Sequence, residues 1–485
     1  MTKRAAKRLT STLVCFAATV AITQPAAAAP DTGNTGFLMM STALVLLMTV
    51  PGLALFYCGM VRAKNALTTL LHVFATVCLV CVLWLLYGYS LAFTNGGDHN
   101  SWVGGFSKAF LAGVTASSQV ATFSNGVMVP EFAYICFQMT FAAITPALIV
   151  GAFAERMRFG PLLAFMALWL TFVYAPIAHM VWYWSGPDAI ATAAAALRDA
   201  AELDKPAAQA LLDATLADAG LMYRWGAIDF AGGTVVHVNS GIAGLVAAVT
   251  LGPRYGYGRD AMQPHSLPLC LVGACLLWVG WFGFNCGSNL EANGTAALAM
   301  VNTFGAAATA GLAWMFAEWS ARGRPTLLGI ATGVVAGLVA VTPASGFAGP
   351  MGALALGALA GPICFFFCTT VRNIFGYDDS LDVFGVHCVG GIIGALATGI
   401  LVNPALGGTG VLDYISSPGE AVVAAYDFGA QMSAQAKAVG LTLLWSGVGT
   451  AIILRVIQIF TTLRAPIENE YEGLDIAEHG ERAYS

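Results

Sequence analysis

Two histidines set in one repeated pattern are the residues of this 485-residue chain whose types and spacing could do chemistry. His237 stands in Asp229-Phe-Ala-Gly-Gly-Thr-Val-Val-His237-Val-Asn-Ser-Gly241-Ile-Ala-Gly244. His387 stands in Asp382-Val-Phe-Gly-Val-His387-Cys-Val-Gly-Gly391-Ile-Ile-Gly394. Aligned on the histidine, both read His-x-x-x-Gly-Ile-x-Gly, and both follow an aspartate. Each histidine lies in an apolar run long enough to cross a bilayer, where an ionisable group is costly and marks a functional position by default. Matching placement in a repeat points to one shared site; the plainer alternative is two imidazoles that merely hydrogen-bond helices together. A neutral imidazole has one donor and one acceptor nitrogen, so such a pair could hold a small polar solute or relay a proton. The two aspartates are expected to cap their helices at the membrane surface, with Asp229 also favouring a cation there.

The elements that must position this pair are membrane helices. Hydrophobic residues make up 58% of the chain and charged ones only 10%, which places it among polytopic membrane proteins. The 55 glycines suit closely packed transmembrane helices. A net charge of -5 implies neither nucleic acid nor an acidic partner. Residues 1–29 read as a signal peptide: Lys3, Arg4, Lys7 and Arg8 precede an apolar Leu9 to Ile22, then small residues up to Ala29. A short uncleaved first helix is the alternative. Cys15 belongs to that segment. The other cysteines fall in apolar stretches without metal-ligand spacing, so no disulfide, metal or cofactor is expected.

Eleven spans follow, at approximately Gly36–Val61, Ala66–Phe93, Phe132–Phe153, Pro161–Tyr183, Phe230–Leu251, Leu269–Leu290, Thr295–Trp319, Leu327–Thr342, Pro350–Val371, Val383–Val402 and Ala438–Phe460. One set of short loops carries Arg62, Lys64, Arg156, Arg158, Arg254, Arg259, Arg322, Arg324 and Arg372. The opposite, longer loops hold only Lys108, Arg198, Lys205, Arg224 and Lys437. The first set is therefore expected in the cytoplasm, with the mature N-terminus outside and the C-terminal tail inside. His237 falls on the fifth span and His387 on the tenth. Because five is odd, two successive five-span units are inverted, and inverted repeats place a substrate path at their interface near the midplane. The expected fold is thus all-α, two inverted five-helix repeats plus a final helix.

Aromatic and polar groups cluster towards the outer face: Phe137-Gln-Met-Thr-Phe141, His179-Met-Val-Trp182 and Trp281-Phe-Gly-Phe284-Asn-Cys-Gly-Ser288. Interfacial aromatics are commonly anchors, and Trp102 and Trp184 read so. A Phe, a Trp and a Ser beside buried histidines could instead form a cation–π cup, worth ~2 kcal/mol when desolvated.

These segments carry a family resemblance. GLALFYCGMVRAKN, FQMTFAAITPALIVGAFAERMRF, PIAHMVW, DFAGGTVVHVN, WFGFNCGSN, VTPASGF, DVFGVH and YEGLDIAEHGERAY, in this order, resemble the ammonium transporter (Amt/Mep/Rh) family, bacterial Amt branch, from Gly36 to the C-terminus. The resemblance implies a homotrimer of eleven-helix subunits, each with its own path for ammonium, ammonia or methylammonium across the lipid bilayer. It implies an outer recruitment site at Phe141, Trp182 and Ser288, with Asp229 behind it and the Ala231 carbonyl facing the substrate. It further implies a stacked gate of Phe141 and Phe284 and a pore pair of His237 and His387. The tail, residues 463–485, would pack under the transmembrane domain (residues 30–462), although its composition alone suggests disorder. A PII-type nitrogen-regulatory protein would bind the same face. One departure is the insertion 186–224, alanine-rich and expected to form two short helices parted near Lys205-Pro206, where related bacterial transporters have a short connection.

Other readings stay open at this point. An ammonium receptor signalling through the tail is one, weakened by the lack of a signalling domain before Ser485. An Rh-like channel for ammonia or carbon dioxide is another, disfavoured by Trp182 and the Amt-like tail. An intramembrane enzyme is a third, but no partnered nucleophile or cofactor motif supports catalysis.

Overall fold

The computed structural model describes residues 30–416 and 422–484. The expected signal peptide, residues 1–29, lies outside the described residues. Eleven helices are long and apolar enough to span a membrane: Thr32–Met60, Ala63–Phe93, Glu131–Phe153, Phe159–Trp182, Gly233–Leu251, Leu267–Gly287, Gly294–Arg322, Leu327–Ala344, Pro350–Phe375, Phe384–Leu401 and Phe428–Phe460. The fold is the all-α, eleven-span bundle read from the sequence. The largest difference is the eleventh span, which begins ten residues before the expected Ala438. Asp427 caps it by accepting from Ala430 N, and the helix then runs through Gln431 and Gln435 before its apolar part.

The repeats meet in reciprocal helix crossings. A Cβ on Gly59, at the end of the first span, would lie 2.6 Å from Cys270 N at the start of the sixth. Conversely, a Cβ on Gly287, at the end of the sixth, would lie 2.6 Å from Ser41 Cβ near the start of the first. The fifth and tenth spans repeat the arrangement. Gly241, four residues after His237, faces Cys388, the residue after His387; Gly391, four after His387, faces Val238, the residue after His237. The glycine of His-x-x-x-Gly is therefore a contact surface. Without a side chain, each helix lets the other's backbone come beside its histidine.

Both helices also start alike. The residue five before each histidine is left-handed, Gly232 at φ 109° and Asp382 at φ 59°. This ends the loop and starts the helix at Gly233 and Phe384, after the expected Phe230 and Val383. Aspartate tolerates that conformation because its short polar side chain does. This corrects the expected role of Asp382. It is the counterpart of Gly232, and its carboxylate pairs with Arg372 Nη1 at 2.5 Å in place of capping a helix. The counterpart of Asp229, eight residues before the histidine, is Asp379, which accepts from Phe384 N at 2.7 Å. Both helices then open with π-type turns, Gly233–Val238 and Phe384–Cys388, that contain the histidines. Such wide turns recur at functional sites.

In the insertion, helices run from Pro187 to Asp199 and from Lys205 to Ala217, with a short one at Leu221–Arg224. Asp218 fastens it by accepting from Asn95, Asn100 and Tyr183 at 2.7, 2.9 and 3.0 Å. The tail forms helices Ile467–Glu472 and Leu474–His479. Its Asp475 accepts from Leu67 N, Thr68 N and the Thr68 hydroxyl, satisfying orphan donors at the start of the second span. Glu470 receives Arg464 and Tyr255 N, and Lys64 donates to the carbonyls of Glu470 and Tyr471. These polar contacts order a segment that has little apolar surface to bury.

Candidate functional site

Asp229 builds the end that bears the insertion. Its carboxylate accepts five hydrogen bonds, from the backbone of Gly232, Gly233, Thr234 and Val235 and from the Thr234 hydroxyl, at 2.5 to 3.2 Å. These are the free donors of the fifth span's first turn, so the expected cap is present with every donor in reach used. The Asp229 backbone carbonyl in turn accepts from Trp182 Nε1 at 3.0 Å, tying the end of the fourth span to this turn.

A cavity of about 310 Å³ opens here, lined among others by Phe141, Trp182, Asp229 and Ser288. Ala231 is fully buried and does not line it. Trp182 and Phe141 meet edge to face, with ring centroids 5.7 Å apart. The Ser288 hydroxyl donates to Phe284 O at 2.8 Å, leaving its oxygen as an acceptor. Trp184, expected only as an interfacial anchor, lines the same cavity and stacks on Tyr223 of the insertion at 5.3 Å. Trp102 instead stacks on Trp445.

Below the cavity the rings continue inward. Phe141 and Phe284 stack at 4.3 Å and 30°, each 1% exposed or less. Phe284 lies 6.0 Å from His237, and His237 lies 5.4 Å from His387, with planes 20° apart. The structure thus brings together Trp182, Phe141, Phe284, His237 and His387 in one unbroken series. The fourth, third, sixth, fifth and tenth spans each contribute one ring.

The two Nδ1 atoms are 3.3 Å apart, at the long end of the hydrogen-bond range. Such a contact uses one N–H and one lone pair, so one imidazole keeps a bare Nε2 and the other an Nε2–H. His237 Nε2 has no hydrogen-bond partner among the described residues. The pair therefore offers one acceptor and one donor within an apolar wall. Trp281 completes that wall, stacked on His237 at 5.4 Å and 18°. It was legible only as the start of the Trp281-Phe-Gly-Phe284 stretch, and its spacing of three from Phe284 puts both rings on one helix face.

The end carrying most arginines is knit by ion pairs. Arg254 binds Asp378 through Nε and Nη2 at 2.9 and 2.8 Å, and Glu155 takes Arg62 Nε at 2.8 Å. Burial acts against the Asp378 anion, but the Arg254 guanidinium and backbone N–H hold the carboxyl below its usual range. Arg156, fully buried, donates to the carbonyls of Ala152 and Asp378 and to Ser380, and burial lowers its guanidinium to about 10.

Known proteins share this architecture. The family described as Ammonium Transporter Family matches residues 36–484. An ammonium transporter of Aquifex aeolicus is 41% identical, covering 94% of each chain. Among solved structures, one titled Sensor Amt Protein superposes with a TM-score of 0.75 at 25% identity, covering 92% of this chain and 98% of that one. Mep2 of Saccharomyces cerevisiae superposes at 0.73 with 29% identity, covering 90% and 91%. With its eleven spans and a family match across nearly the whole length, this chain belongs to the ammonium transporter family.

Proposed function

We propose that the chain carries ammonium across the membrane by gathering it in the outer cavity, stripping its proton and conducting ammonia past His237 and His387. The continuous series from Trp182 to His387 is the observation that supports this most. Trp182 and Phe141 supply ring faces for a cation, Ser288 an acceptor, and Asp229 a nearby negative charge. Beyond the stacked Phe141 and Phe284 the wall is apolar. A bare monovalent cation there meets an idealised penalty of about 20 kcal/mol, reduced in a real protein yet still several. Ammonium escapes it by losing a proton, and potassium has no such route. Ammonia, with three donors and one lone pair, fits a histidine pair that shows one acceptor and one donor. Selection therefore falls at deprotonation, since the cup alone would take either ion. This is transport and involves no covalent catalysis.

The loop charges support an orientation with the insertion outside and the tail in the cytoplasm of a cell-membrane protein, after removal of residues 1–29. Family membership supports a homotrimer, and the ordered tail supports a PII-type nitrogen-regulatory partner at the cytoplasmic face. Uptake of methylammonium by proteoliposomes holding the purified protein tests the conduction reading, and no uptake above protein-free liposomes would refute it. Pull-down with a PII-type protein, with and without nucleotide and 2-oxoglutarate, tests the partner; no binding under any condition removes it.

A further inference from the structure

The loop Asp378-Asp379-Ser380-Leu381-Asp382, just ahead of the tenth span, carries three carboxylates, and one of them has no cation. Asp378 takes Arg254, and Asp382 takes Arg372. Asp379, 1% exposed, forms no ion pair among the described residues. Its Oδ2 accepts from Phe384 N, while its buried Oδ1 has no hydrogen-bond partner among them. A buried carboxylate so placed is costly as an anion unless a proton or a cation joins it.

Its position gives the second argument. Asp379 lies eight residues before His387, as Asp229 lies eight before His237, and each accepts from the backbone N–H five residues on, Phe384 and Thr234. The inverted repeat therefore sets a carboxylate at each end of the histidine pair. At the outer end five donors surround it; at the other, one oxygen is left uncommitted.

We propose that Asp379 is a second cation station, at the inner end of the path, where it exchanges a proton with ammonia leaving the histidine pair and holds the resulting ammonium. This rests on the conduction reading above. In the step, the O–H bond of the neutral carboxyl breaks and the nitrogen lone pair of ammonia forms the new N–H bond. Ammonium is left beside the carboxylate, departs into water, and a solvent proton restores the acid. In the reverse direction ammonium gives its proton to the carboxylate and enters as ammonia.

The surroundings favour this use of Oδ1. Tyr57 of the first span donates its hydroxyl to Leu148 O, and Arg156 directs Nη1 and Nη2 to carbonyls and Ser380, its Nε having no partner among the described residues. Arg372, from the end of the ninth span beside Cys368, pairs through Nη1 with Asp382 and has no partner at Nε among the described residues, while Tyr377 adds only a phenol. Burial first, and the Asp382 charge second, push the Asp379 carboxyl up to about 7, against the pull of Arg372 and the Phe384 and Val383 N–H groups. Acid and anion are then both populated near neutrality. Below that value the neutral acid stands ready to protonate arriving ammonia, and as inner pH rises through it the anion forms and that donor is lost.

The test is initial methylammonium uptake into proteoliposomes at fixed outer pH, with inner pH stepped from about 5.5 to about 8.5 across this titration. Wild type should show a component that falls as inner pH rises through about 7. Asp379→Asn should lose that component and fall about tenfold at the acid end. Asp379→Glu, which keeps the carboxyl but moves it, should shift the midpoint. A wild-type midpoint retained in Asp379→Asn overturns the proposal, as does a wild type with no inner-pH component. Should Asp379→Asn fail to assemble, an unchanged midpoint in Asp379→Glu overturns it as well. Absence of any wild-type uptake would sink the conduction reading itself, whereas uptake with an unmoved midpoint sinks Asp379 alone.

Discussion

At the start of the fifth span Asp229 gathers five donors, whereas at the start of the tenth its twin Asp379 gathers Phe384 N and leaves an oxygen bare. The backbone plan at the two ends is the same: a left-handed residue, a wide turn holding the histidine, and a glycine four residues later against the opposing helix. What differs is how polar groups finish each end. At the start of the fifth span, an aromatic cavity stands over a saturated carboxylate. At the other end, arginines pair with two of the three carboxylates in the loop, Asp378 and Asp382, and pass over Asp379. Steric fit fixes where the histidines sit, and local electrostatics, free of that constraint, has diverged between the ends.

The steric half of this comparison predicts the largest effect. A Cβ at Gly241 would come 2.3 Å from Cys388 N, a backbone atom with little room to move, whereas at Gly391 the nearest atom would be 2.9 Å away. Gly241→Ala should therefore destabilise by about 3 kcal/mol or more and Gly391→Ala by about 1 kcal/mol, within the range for overpacking. Thermal unfolding in detergent measures both, and equal losses would break the claim that the crossing is tighter on one side.

Next in size is the saturated carboxylate. Asp229→Ala strands the first-turn donors and should cost about 2 kcal/mol, at the upper end for a lost cap. It should also cut ammonium uptake by tenfold or more, to order of magnitude. Asp229→Asn keeps one acceptor oxygen and should recover much of the stability but little of the uptake. Full uptake in Asp229→Asn would make the residue a cap alone.

The cavity comes last. Trp182→Ala removes one ring face and the bond to Asp229 O, and should raise the ammonium concentration for half-maximal uptake by about tenfold, as a cation–π loss of 1–2 kcal/mol requires. Ser288→Ala removes one acceptor and should raise it only about threefold. Unchanged values in both variants would show that the cavity does no recruiting.

Much of this was legible in the sequence because membrane helices announce themselves by length and apolar content. All eleven spans and the histidine pair followed from that and from the repeat. The counterpart of Asp229 did not. The nearest aspartate in the second copy is Asp382, but a left-handed position accepts Asp or Gly alike, so residue type misled where the offset of eight would have guided. In the sequence Trp281 reads as a motif member and Trp184 as an anchor, because spacing gives a helix face without the neighbour it meets. The early start of the eleventh span was hidden by its polar first turns, which helix capping supports and hydropathy ignores.

The central claim is that ammonium passes a dry histidine-lined path as ammonia, which potassium cannot do. Paired ammonium and potassium fluxes in proteoliposomes, for wild type and for His237→Ala with His387→Ala, test it most directly. The account predicts ammonium flux without potassium flux in wild type, and measurable potassium flux once both imidazoles are gone and water can enter. Potassium carried by wild type, or a double variant that still moves ammonium and still excludes potassium, would contradict it.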